Sequence, residues 1–157
     1  MTHQRRVNKA LLVMAMAVPF LVACSARPSV KAEVPTGHRT TVAAYTEAFN
    51  AHDVEAMRAM MDPDIEWWSI TGEGAELVST GRENLAEELK HYFDGPNAVT
   101  SELTGEAVAG PYFSSKETVR WADKDGNEKS QASLVVYELT AVSQIRRVWY
   151  YPEVAAD

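Results

Sequence analysis

Cysteine is nearly absent: the 157 residues contain one, Cys24. A single thiol cannot form an internal disulfide, so the fold must be held by its core. Histidine is scarce too, with four residues and no pair at a metal-binding spacing such as H-x-x-x-H. That pattern argues against a zinc centre. No glycine-rich phosphate loop follows a strand pattern, and no metal or cofactor is expected. No apolar run reaches the roughly 20 residues that a membrane-crossing helix needs; the run Ala10–Val22 has 13. Basic residues are outnumbered, 15 Lys+Arg against 22 Asp+Glu. Three of the basic residues and none of the acidic ones precede Cys24, so the remainder carries 12 against 22, a net charge of −10. That balance excludes nucleic acid, whose binding needs a basic footprint. It also leaves no general electrostatic hold on anionic lipid. No internal repeat is present.

What the first residues do contain is an address. Arg5, Arg6 and Lys9 are followed by the apolar run and then directly by Cys24. A basic segment and a short apolar segment read as a secretory signal, residues 1–23. Leu21-Val22-Ala23-Cys24 is similar to the lipobox of bacterial lipoproteins. That resemblance implies cleavage before Cys24 and acyl chains on its thiol and new amino group. Several chains anchor stably where one is marginal. Ser25, where aspartate would favour the inner membrane, points to a lipid-anchored place on the outer membrane, facing the periplasm. Residues 24–38, punctuated by Pro28, Pro35 and Gly37, read as a flexible tether. A domain over residues 39–152 and a tail over 153–157 complete the expected layout.

Within the domain, Val42, Tyr45 and Phe49 recur at helical spacing and predict an amphipathic helix from about Thr41 to Ala51. Asp53 can cap a second helix carrying Val54, Met57, Met60 and Met61. Ile65 to Ile70 reads as a strand, and "TGEGAELVSTG" after it as a glycine-rich loop. Thr80 and Glu83 have the spacing of a capping box for a third helix bearing Leu85, Leu89, Tyr92 and Phe93. Four strands follow: an alternating run over residues 99–107, then Tyr112–Ala122, Gln131–Thr140 and Gln144–Tyr151. "DKDGNE", Asp123 to Glu128, is a hairpin turn rather than a calcium loop, because the alternating ligands and terminal glutamate of such a loop are missing. The order ααβαββββ predicts an α+β fold.

These elements, with "YTEAFNAHDVEAMRAMMDPDIEW" at Tyr45–Trp67 and "GRENLAEEL" at Gly81–Leu89, resemble the nuclear transport factor 2-like, or SnoaL-like, superfamily. The resemblance implies three helices on a strongly curved, mostly antiparallel sheet that forms a cone-shaped cup. It implies little about activity, since one cup hosts isomerases, cyclases, dehydratases, epoxide hydrolases and binding modules. The ketosteroid isomerase type places a tyrosine donor at Tyr45, a carboxylate base at Ser69 and a second donor near Val135 to Tyr137. Only Tyr45 has the required chemistry here. A serine without an adjacent histidine cannot abstract a carbon-bound proton near neutral pH.

Strand alternation puts Trp67 and Ser69 on one face and Trp68 and Ile70 on the other. The family register turns Trp67 and Ser69 toward the cup. The residues expected to line it are Tyr45, Phe49, Trp67, Ser69, Tyr92, Tyr137 and Trp149. The expected function is binding of a small, largely apolar molecule without clear catalysis, with enzymatic action left open. The alternatives are a lyase, cyclase or hydrolase whose acid the sequence does not locate, and a protein–protein assembly module. A buried Asp or Glu near Tyr45 would favour the enzyme. A cup with no cavity of roughly 300 Å³ would favour the assembly module. Large apolar groups on both faces of the last strand lead to a further expectation, a homodimer through the outer sheet face.

Overall fold

The computed structural model describes residues 36–95 and 99–155. The expected signal, Cys24 with its expected lipidation, and the expected tether up to residue 35 lie outside the described residues. Three helices, α1 (Thr36–Asn50), α2 (Val54–Ala59) and α3 (Arg82–Phe93), pack on a curled sheet. Its strands are β1 (Met61–Thr71), β2 (Gly74–Thr80), β3 (Thr100–Ala109), β4 (Tyr112–Ala122), β5 (Glu128–Leu139) and β6 (Ile145–Tyr150), and a short β7 (Val154–Ala155) pairs with β5. The spatial order is β2-β1-β6-β5-β4-β3, with β1 and β6 parallel and the other neighbours in that order antiparallel. This is the expected α+β architecture, with one strand more than the sequence pattern suggested before α3.

The extra strand is β2. Its residues are exposed except Ser79, so its sequence lacks the half-buried alternation that marks a strand. It forms because β1 offers a free edge and pairs with it from Thr71↔Gly74 to Glu66↔Thr80. The start of α1 also differs. The helix begins at Thr36, and His38, expected in the tether, is buried with its Nε2 3.1 Å from the Thr140 carbonyl. Gly37 permits this approach: a Cβ there would meet Ser143 Oγ at 2.6 Å.

Local capping decides the other helix ends. The Asp53 side chain accepts the Ala56 N–H at 2.9 Å, as expected of an N-cap. The Thr80 capping box does not form. Gly81, at φ 85°, is the N-cap of α3, and its N–H is held by the Ile65 carbonyl at 2.8 Å. Only glycine adopts that conformation without strain. Glu83 instead takes Arg58 at 2.9 Å, joining α3 to α2.

The core lies between the helices and the concave face of the sheet. Val42, Met57, Met61, Ile65, Val135, Ile145 and Val148 are fully buried there. On the convex face Trp68 stands beside Leu77 and Trp149, and Trp149 beside Val136. Arg147 bonds Glu66 at 2.6 Å and Glu138 at 2.9 Å on that same face.

Candidate functional site

The concave face collects residues by strand alternation. From β4 come Phe113, Ser115, Glu117 and Val119, and from β1 come Ile65, Trp67 and Ser69. Cross-strand pairing sets Leu103 and Ser133 on either side of Glu117, and Ser101 beside Val119. The helices close most of this face and leave a cleft of about 380 Å³. Trp67, Ser69 and Tyr150 line one side and Phe49, Leu89 and Tyr92 line the other, with Glu117, Val119, Gln131 and Glu153 completing it. An adjoining cleft of about 230 Å³ shares Trp67, Leu89 and Tyr92 and adds Glu88.

Four of the seven expected residues, Phe49, Trp67, Ser69 and Tyr92, therefore line the cleft. Tyr45 and Tyr137 lie deeper, 3% and 2% exposed. Their rings meet edge to face at 6.4 Å, and Phe113 packs on Tyr137 at 6.2 Å. Trp149 is on the opposite face, against Tyr112. The expectation that it faces the cup is corrected by a β-bulge. Leu139 pairs with Ile145 but Glu138 with Arg147, so Arg146 is an extra residue in β6. One inserted residue exchanges the faces beyond it. Val148 and Tyr150 turn inward as a result, and Tyr150 stacks on Trp67 at 5.0 Å.

Glu117 is the residue that sequence reasoning did not find. It is 5% exposed in the middle of a strand, where an unpaired charge is costly. The Ser101 hydroxyl donates to its Oε1, while Oε2 has no hydrogen-bond partner among the described residues. Burial pushes the carboxyl above its ordinary value of 4.5; the Ser101 hydroxyl, and the Tyr150 hydroxyl that stands near without a well-aligned hydrogen bond to Oε2, offset this only in part. Burial, and then the nearby Glu117, raise Tyr45, Tyr137 and Tyr150 as well, so all three phenols keep their protons. The buried Tyr45 hydroxyl also lacks a hydrogen-bond partner among the described residues. The signal in the sequence was the position of Glu117 in "FSSKETV": it shares the inward face with Phe113, Ser115 and Val119.

Helix α1 fixes this arrangement from behind. Asn50 donates from Nδ2 to the Ser101 carbonyl at 2.9 Å and accepts the Ser101 N–H at 2.6 Å. The double bond holds the residue whose hydroxyl orients Glu117. Asn50→Ala removes both bonds and is expected to cost about 1–3 kcal/mol in urea unfolding. An unchanged midpoint would remove Asn50 from this role.

Among the described residues no cluster of His, Cys, Asp and Glu could hold a metal ion. What the cleft offers is an apolar wall, several hydroxyls and one buried carboxyl displaced toward its neutral form. Such a site can bury an apolar molecule and donate a hydrogen bond, or a proton, to an oxygen on it.

This architecture defines a cone-shaped SnoaL-type fold. The SnoaL-like domain family matches residues 42–148, and the chain belongs to that family. Solved structures with the same fold include a cystatin-fold protein from Novosphingobium aromaticivorans, 23% identical, with TM-score 0.59, covering 71% of this chain and 94% of that one. A Mycobacterium tuberculosis protein in complex with estradiol-17beta-hemisuccinate is 14% identical, with TM-score 0.60 and coverage of 74% and 93%. An epoxide hydrolase of the LEH-like type from M. tuberculosis is 16% identical, with TM-score 0.62 and coverage of 76% and 84%. No curated protein matches the sequence.

Proposed function

We propose that the cleft binds a small, largely apolar molecule and that Glu117, as the neutral acid, donates to an oxygen on it. The observation that carries this reading is the buried carboxyl lining an apolar cleft with Oε2 unpartnered. A ligand oxygen supplies the missing partner, and the aromatic walls supply burial. The cleft of about 380 Å³ falls in the range of small-molecule sites and supports this reading over an assembly module with a filled cup. The neighbours of similar fold, one with a bound steroid ester and one an epoxide hydrolase, are compatible with it.

Glu117 beside the tyrosine hydroxyls also favours a second, enzymatic reading. If the bound oxygen belongs to a strained or activated group, donation becomes general acid catalysis, worth about 10²–10⁴ in rate. Native mass spectrometry of the protein purified from its own host tests the shared basis. Extra mass, released on denaturation and lost or reduced in Glu117→Leu, which has no donor, is expected. A bare mass for the parent chain would contradict the reading, and release of an altered compound would select the enzyme.

The lipid-anchored envelope location belongs to the same proposal and rests on the sequence of the first 25 residues: the basic residues, the apolar run Ala10–Val22, Leu21–Cys24 and Ser25. Cys24→Ser should move the protein from the membrane to the soluble fraction, and a parent chain already soluble would refute the anchor.

A further inference from the structure

The clefts contain no lysine, arginine or histidine among their lining residues, within the described part of the chain. They do contain three carboxyl groups: Glu117 in the wall, Glu153 at the end of the larger cleft and Glu88 in the smaller one. Glu153 and Glu88 are exposed, whereas Glu117 is buried with Oε2 unpartnered, which marks the larger cleft as a place for a ligand. Four aromatic rings stand in the same lining as two pairs. Trp67 and Tyr150 stack at 5.0 Å, and Phe49 and Tyr92 meet at 6.2 Å with a tilt of 38°. Tyr92 and Glu153 line the same cleft, and burial first and then the neighbouring carboxyls, Glu153 among them, raise the Tyr92 phenol; with Glu117 neutral, the charge that Tyr92 faces is that of Glu153.

An anion entering this site would meet the Glu153 carboxylate and the negative faces of aromatic rings, with only neutral donors, the Glu117 acid among them, to receive it. A cation meets the reverse, an attractive potential and ring faces that bind positive charge. We infer that the ligand is an organic cation: an apolar body with an oxygen at Glu117 and an amine or quaternary ammonium group between Glu153 and the Tyr92 ring. This deepens the proposed function and rests on its reading of the cleft.

Three probes of one shape separate the two claims. They are 4-phenylbutan-2-one and its para-aminomethyl and para-carboxymethyl derivatives, titrated calorimetrically into the purified chain. The aminomethyl ketone is expected to bind about three- to tenfold more tightly than the parent ketone, the scale of an exposed cation–π contact with an ion pair. Added salt should narrow that ratio, and Glu153→Gln should lower it to the part that the Tyr92 ring alone supplies. The carboxymethyl ketone should bind more weakly than the parent ketone. Equal binding of the parent and aminomethyl ketones, tighter binding of the carboxymethyl ketone, or a ratio unchanged by Glu153→Gln would overturn the inference and leave the cleft reading intact. Binding by none of the three would overturn both.

Discussion

Glu117→Gln is expected to be more stable than the parent chain at pH 8 and to lose that advantage at pH 4. The folded-state value of Glu117 is raised above its unfolded value by burial. Below about 4.5 both states hold the proton and the residue contributes no pH-dependent cost. As pH rises from there, the unfolded chain releases its proton first, so stability falls until the folded carboxyl ionises too. Glutamine keeps an oxygen for the Ser101 hydroxyl and carries no charge at any pH. Leaving a buried polar group unsatisfied costs about 1–3 kcal/mol, which sets the scale of the gain at pH 8. Thermal melts of both proteins across this range check it. Parallel curves would mean that Glu117 ionises in the fold as easily as in water. Glu117→Leu, which has no donor, should weaken binding of a neutral ketone most at low pH, where the parent carboxyl is fully protonated.

Tyr137→Ala is expected to cost about 3–5 kcal/mol, the usual range for deleting a buried aromatic ring. Tyr137 is among the largest fully buried side chains, and it joins the Tyr45 ring of α1 to the Phe113 ring of β4. Its removal leaves a cavity where the helix meets the sheet. Tyr137→Phe retains the ring contacts and should lose about 1 kcal/mol with its hydroxyl interaction. Urea unfolding of the two variants separates a floor residue from a ligand contact. A stable Tyr137→Ala chain would contradict the packing described here.

The helices were legible because they obey local rules. Val42, Tyr45 and Phe49 keep one period, and Asp53 caps α2 through its own side chain. Strand β2 was hidden because its stability comes from pairing with β1, while its own side chains stay in water. The cap of α3 moved from Thr80 to Gly81 because a long-range bond from Ile65 fixes that turn. The exchange of Trp149 for Tyr150 has the same origin. A bulge at Arg146 depends on two neighbouring strands, and no glycine or proline marks it in the sequence. Glu117 was the hardest to read. A mid-strand glutamate is ordinarily solvated, and residues brought from other elements, Asn50 and Ser101 foremost, hold this one inside.

The most direct test of the neutral-acid claim is a carbon NMR titration of the Glu117 side-chain carboxyl, with and without saturating 4-phenylbutan-2-one. The account predicts a midpoint above the ordinary 4.5 in the free chain. It predicts a further rise with the ketone bound, because a ligand that accepts from the neutral acid stabilises that form. A midpoint at or below the ordinary value, or one that falls when the ketone binds, would contradict it.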